Sequence, residues 1–248
     1  MKKPTLEDRL RARNEAPAGR QVMHQQWRRL LFLHWSVEPA ALQATLPPGL
    51  TIDTHDGRAW LGVVPFFMRG IRPVYLPPVP GVSDFLELNV RSYVHDDAGR
   101  PGVWFYSLDA NQWLAVKIAR TFFKLPYHRA TMCATVESDA VNYTCRRGTR
   151  SDTAEYRWQL SGEPFEAEPG SLDSFLAERY LLFAWNEKRR RLSSGRVVHT
   201  PYPLRQATVE THSTLPIAWD GLSEPTTPPE HVVGSDGVDV AVYPLTHV

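Results

Sequence analysis

The chain has 248 residues, 42% of them hydrophobic and 22% charged, with 28 Lys and Arg against 27 Asp and Glu. These proportions exclude a wholly disordered chain and a disulfide-stapled mini-protein, and they leave room for one large domain or two small ones. A net charge of +1 gives no general basicity to argue for nucleic acid, and the 21 Pro and 15 Gly follow no collagen-like period.

The charge is uneven along the chain. From Gln206 onward stand six acids, Glu210, Asp220, Glu224, Glu230, Asp236 and Asp239, with no Lys or Arg. This predicts acids that pair with the basic remainder in the fold rather than a functional positive field. Cys133 and Cys145 fit no CxxC or zinc spacing and read as reduced, buried and structural. The polar stretch from Met1 to Arg20 does not read as a signal peptide. The longest apolar run, Ala59 to Met68, has ten residues, whereas a membrane helix needs roughly 20. A soluble cytoplasmic protein is expected, with no membrane or nucleic-acid partner.

Residues 1–25 read as a polar extension, in which Thr5–Glu15 forms a short helix capped by Thr5, ahead of a single domain over 26–248. Gln26–Val37 is so rich in bulky apolar residues that it predicts a strand buried on both faces. Glu38–Thr45 predicts a short helix, stopped by Leu46-Pro47-Pro48-Gly49. Two hairpins follow: Leu50–Thr54 with Arg58–Met68 around Asp56-Gly57, and Asp84–Val94 with Val103–Leu108. Between them Pro73, Pro77, Pro78 and Pro80 mark a loop or rim.

Asn111–Phe123 predicts a helix capped by Asp109 or Asn111. His128–Glu137, Asn142–Arg147 and Ala154–Leu160 predict three strands, and Ser171–Trp185 one long helix with a Ser cap. The basic run Lys188–Arg191 is then the solvated C-terminal end of that helix. Val197–Thr200, Pro203–Thr211 and Val238–Tyr243 predict the last strands, with a loop at Leu222–Glu230. Many strands with a few inserted helices, and no β-α alternation, define an α+β fold of mostly antiparallel β.

There is no nucleotide-binding, P-loop, nucleophile-elbow or HExxH motif, and no helical i,i+4 His pair, so no cofactor and no metal is expected. What remains is polar residues inside apolar runs. By strand alternation Phe85, Glu87, Asn89 and Arg91 share one face, either solvated or lining a cavity where a carboxylate and a guanidinium orient a ligand. Lys117 and Arg120 read as exposed, and Lys117 is a nucleophile only if desolvated.

Several strings carry a family resemblance: Gln26-Trp27, Leu31-Phe32-Leu33-His34-Trp35, Leu46-Pro47-Pro48-Gly49-Leu50 and Ala59 to Phe66. Phe85 to Val94, Gly102 to Ala110, Leu125-Pro126-Tyr127, Phe175 to Tyr180 and His199 to Leu204 continue it. Together they resemble the YqjF-like family of unknown function, which is similar to the acetoacetate decarboxylase-like superfamily. The resemblance implies a double-barrel or cone-like fold around a central cavity. In the decarboxylase a lysine of lowered pKa forms a Schiff base with a β-keto acid; acetoacetate decarboxylase is the standard case of a lysine activated in this way.

Carried over by residue, that lysine falls on Tyr127 and its neighbour on His128, with Arg120 upstream and Glu87 in place of the active-site glutamate. A phenol forms no imine, and Lys124 would substitute only in another register. The resemblance therefore implies an organic acid or carbonyl compound in the cavity, without Schiff-base decarboxylation. Glu87, Tyr127 and His128 are the candidate catalytic residues, and Asn89, Arg91 and Arg120 the candidate ligand-binding ones. A non-catalytic sensing module, or a structural protein with its core shut by Trp104, Phe105 and Phe123, stands as the alternative, and a homo-oligomer is compatible with either.

Overall fold

The structure, a computed structural model, describes residues 2–15, 17 and 19–248. It is a strand-dominated α+β fold. In chain order the elements are α1 (Leu6–Asn14), β1 (Met23–Val37), α2 (Pro39–Gln43), β2 (Leu50–Ile52), β3 (Ala59–Pro73), β4 (Phe85–Asp96) and β5 (Pro101–Ala110). Next come α3 (Trp113–Ile118), prolonged by a π turn at Ala119–Phe123, then β6 (Tyr127–Glu137), β7 (Ala140–Arg147), β8 (Ala154–Phe165) and α4 (Leu172–Ala177). The chain ends with β9 (Leu181–Asn186), β10 (Arg191–Val198), β11 (Leu204–Thr211), α5 (Leu215–Trp219), β12 (His231–Val242) and β13 (Thr246–His247).

The strands form one sheet that forks twice. β5 gives one edge to β4 and splits the other between β9, at Val103 and Trp104, and β6, at Leu108 to Ala110. β12 likewise gives one edge to β1 and divides the other between β11 and β10. Two rings of pairings result, sharing the wall β12-β1-β3-β4-β5. One ring is completed by β9 and β10, the other by β6, β7, β8 and β11.

A shared wall is buried on both faces, and this explains the apolar runs Leu30–Leu33 of β1 and Ala59–Met68 of β3; β4 is buried along its whole length as well but carries polar residues on one face. Leu31, Leu33 and Trp35 pack into the second ring with Tyr143, Trp158 and, from α5, Ile217 and Trp219. Leu30 and Phe32 turn the other way and pack into the first ring with Phe66, Met68 and Tyr202. The second ring is thus filled with side chains and plugged by α5.

The inner face of the first ring runs through Met23, Gln25 and Trp27 but then through Leu30, so the alternation changes parity. A bulge at Arg29 (φ +51°) makes the change, opposite Gly237 (φ +131°) on β12. A Cβ at Gly237 would stand 2.0 Å from the Trp27 carbonyl oxygen, so only glycine fits.

Several expectations require correction. The turn at Asp56-Gly57 forms, with His55 N–H donating to the Arg58 carbonyl at 3.0 Å, but β2 pairs with β4 and not with β3. Both edges of β3 are already taken, by β1 and β4. The helix expected over Ser171–Trp185 stops at Ala177, and Leu181–Asn186 is strand β9, because its apolar face completes the first ring between β5 and β10. Lys188–Arg191 is therefore a turn and strand start, with Arg190 left-handed, and not a helix end.

Neither Asp109 nor Asn111 caps α3; the Gln112 side chain does, accepting from Leu114 N–H at 3.2 Å. Cys133 is exposed, since Ala130 and Met132 take the inward positions of β6, whereas Cys145 is buried. The Thr5 cap forms as a capping box with Asp8. Among the six late acids, Glu210, Asp220, Glu230, Asp236 and Asp239 each pair with an arginine, so the charge asymmetry is spent inside the fold. No helix of the described residues is long and apolar enough to cross a membrane.

Candidate functional site

The first ring encloses a pocket of about 310 Å³. Its walls come from Val64, Phe66 and Met68 of β3, joined by Ile71 and Pro73 farther along, from the odd face of β4 and from parts of β1, β5, β9, β10 and β12. The Pro-rich segment around Leu76–Val82 and one side of α3 cover one end, and Ala177 and Arg179, where α4 gives way to β9, close the other. Phe105 and Phe123 line it without filling it, and Trp104 packs elsewhere, against the cluster that includes Leu42 and Phe183.

Phe85, Glu87, Asn89 and Arg91 all face this pocket, while Leu86, Leu88 and Val90 face the core of the second ring. The polar face of β4 is therefore interior; Glu87 is only 3% exposed. Tyr127 comes from the first residue of β6, where the parallel pairing with Leu108 of β5 sets it beside β4. Its hydroxyl donates to Glu87 Oε2 at 2.7 Å. Burial, opposed in part by that hydrogen bond, pushes the Glu87 carboxyl up to about 8, so it holds a proton at neutral pH. Burial and the neighbouring Glu87 hold the Tyr127 phenol well above its ordinary range. Asn89 is buried too, and its Oδ1 has no hydrogen-bond partner among the described residues.

Arg91 lies at the closed end. Its Nε donates to the Tyr93 hydroxyl at 3.2 Å and its Nη2 to the Leu176 carbonyl at 3.1 Å. Its guanidinium also lies 5.4 Å from the Phe32 ring centroid. These partners are all neutral. Behind it a chain of hydrogen bonds leads outward: Tyr93 hydroxyl to His34 Nε2 at 2.6 Å, His34 Nδ1 to His231 Nδ1 at 3.0 Å, and His231 Nε2 to Asp173 at 2.7 Å. Gly62 makes room for this arrangement, because a Cβ there would lie 2.8 Å from the His34 ring.

Arg179 joins the same end and was not singled out from the sequence. Its Nη1 donates to Asp53 at 2.8 Å, and Arg9 of α1 binds both oxygens of the same carboxylate at 2.7 and 2.8 Å. Burial lowers the Arg179 guanidinium to about 10, and its Nη2 has no partner among the described residues. Burial alone would raise Asp53, but the two arginines outweigh it and hold the carboxyl below its ordinary value. A helix continuing past Ala177 would carry Arg179 elsewhere, so only the observed break could reveal it.

The remaining candidates lie outside the pocket. His128 follows Tyr127 and so points to the opposite face, where burial and the charge of Arg147 lower its pKa. Arg147 there binds Asp109 at 2.7 and 2.8 Å and Asp220 at 2.6 Å, a fully paired structural cluster. Arg120, Lys117 and Lys124 are exposed, and no lysine lines the pocket among the described residues.

This architecture is that of the acetoacetate decarboxylase-like proteins. The chain aligns with acetoacetate decarboxylase from Legionella pneumophila at a TM-score of 0.64 and 18% identity, covering 100% of this chain and 98% of that one. An enduracididine biosynthesis enzyme, MppR, solved with pyruvate, gives 0.62 and 14%, covering 94% and 93%. An acetoacetate decarboxylase-like enzyme from Sphingomonas wittichii RW1 gives 0.60 and 15%, covering 94% and 95%.

Within that fold the chain belongs to the DUF2071 family, described as an uncharacterized conserved protein, whose profile matches residues 24–239. It is 37% identical to the uncharacterized protein YqjF of Bacillus subtilis over 226 residues, 90% of this chain and 92% of that protein.

Proposed function

We propose that the first-ring pocket binds a small organic acid or carbonyl compound without forming an imine. The observation that carries this reading is Arg91, a buried cation on the pocket wall whose direct partners are neutral. Three guanidiniums, of Arg9, Arg91 and Arg179, gather around this end, and among the described residues Asp53 is the one carboxylate directly partnered with them. A buried positive charge without a counter-ion is costly, and a ligand carboxylate supplies that counter-ion. The pyruvate complex of a protein of the same fold supports the ligand class.

Glu87 and Tyr127 form a separate proton-holding pair farther along the same wall, suited to hydrogen-bonding a carbonyl compound that reaches it rather than a short acid held on Arg91. Imine formation needs a desolvated amine, and among the described residues no lysine lines the wall. A cytoplasmic setting is included, in keeping with two unpaired cysteines.

The test has two parts. Thermal-shift screening of organic acids and carbonyl compounds is expected to find stabilising ligands, and a blank screen contradicts the reading. Borohydride treatment with acetoacetate or pyruvate is expected to leave the intact mass unchanged. A stable adduct mapped to Lys117 or Lys124 would make the protein a Schiff-base enzyme with a displaced nucleophile.

A further inference from the structure

Resting on that reading, the geometry points to a more definite ligand: we propose a medium-chain, apolar-tailed monocarboxylate, with its carboxylate on Arg91 and its tail directed along β4 toward Phe85.

Three features carry this. First, the polar groups of the pocket are strung along a strand and not gathered at one point. Glu87 and Arg91 are four residues apart on one face, about 13 Å of strand at roughly 3.3 Å per residue. Arg91 and Phe85 are six residues apart, about 20 Å by the same rise. A three-carbon acid seated on Arg91 leaves most of that length empty. Second, the positive charge is confined to the closed end, whereas the opposite stretch is walled by Met68, Ile71, Phe85, Leu114 and Ile118. Such a gradient orients an amphipathic molecule with its charge innermost.

Third, the one acid along the way is neutralised. The Tyr127 hydroxyl occupies Glu87 Oε2, and the carboxyl is protonated at neutral pH, so methylenes pass it without facing a buried charge. The outer face of the covering elements is apolar as well: Tyr75, Leu76, Val79 and Phe122 are all more than half exposed. An aliphatic tail can therefore approach and enter through apolar surroundings.

Calorimetric titration of the full chain with butyrate, hexanoate, octanoate and decanoate tests the assignment. Affinity is expected to rise about fourfold per methylene until the pocket is filled. Decanoate is expected to bind at least tenfold more tightly than 1-decanol. Arg91→Met is expected to erase that preference, and Arg91→Lys to restore part of it. Ala115→Trp, placed on the pocket side of α3, is expected to abolish both, which separates the pocket from surface adsorption.

Affinity independent of chain length, an equal preference for the alcohol, or binding untouched by Ala115→Trp overturns the assignment. Should Arg91→Met fail to fold, the acid-to-alcohol ratio in the wild type and in Arg91→Lys decides. Pyruvate binding without decanoate binding refutes the long tail and leaves the organic-acid pocket standing. The absence of binding by any acid refutes both.

Discussion

His34 and His231 meet Nδ1 to Nδ1 at 3.0 Å, so one ring carries its proton there and the other does not. Asp173 accepts from His231 Nε2, which leaves His231 Nδ1 as the acceptor and His34 Nδ1 as the donor. His34 Nε2 then accepts from the Tyr93 hydroxyl, whose oxygen is free to accept from Arg91. A single direction of donation thus runs from the pocket to Asp173 and fixes the Arg91 guanidinium.

That order has a spectroscopic consequence. Burial, helped by the charge of Arg91, holds the His34 imidazole well below its ordinary range, so the ring stays neutral. Nitrogen-15 spectra are expected to show His34 neutral and protonated at Nδ1 at pH 6; an imidazolium there would contradict the chain. His231→Leu strands the His34 donor and should lower stability by about 1–3 kcal/mol.

Glu87 gives a pH signature of definite sign. Its folded value is raised to about 8 from 4.5, so between those limits the native state keeps a proton that the unfolded chain has lost. Stability therefore falls as pH rises through that window and levels off above it. Glu87→Gln removes this slope: the variant is expected to match the wild type near pH 5 and exceed it by about 3 kcal/mol at pH 8. Denaturant melts at the two pH values check this, and an unchanged difference would mean an ionised Glu87.

The alternation that brings Glu87, Asn89 and Arg91 to one face was legible in the sequence, since it follows from strand geometry alone. Whether that face was solvated or interior was not, because the answer depends on which ring it closes. Arg179 was hidden for a related reason. Phe175, Leu176, Tyr180 and Phe183 continue a helical spacing, and only the pairing of Leu181–Asn186 with β5 and β10 breaks it. His128 was misplaced by proximity: adjacent residues of a strand point apart, so Tyr127 and His128 cannot share one pocket. The tight turn at Asp56-Gly57 was read correctly and its strand partners were not, because a turn sets local direction while sheet partners are chosen by the whole wall.

The parity change that gives the first ring its continuous apolar lining predicts a sensitive glycine. Gly237→Ala should cost at least about 3 kcal/mol, because its Cβ meets backbone and its φ is positive. Gly221→Ala, also at positive φ but with open space around it, should cost only about 1 kcal/mol. Chemical denaturation of both variants makes the comparison, and equal losses would show that the bulge tolerates a side chain.

An experimental structure of the protein with decanoate shows whether Arg91 holds the carboxylate. The carboxylate is expected within 3.5 Å of the Arg91 guanidinium, with the tail running past Glu87 toward Phe85 and no covalent bond to the protein. A carboxylate held at the outer end of the pocket, or an acid found only on the surface with side chains collapsed around Arg91, would contradict this placement.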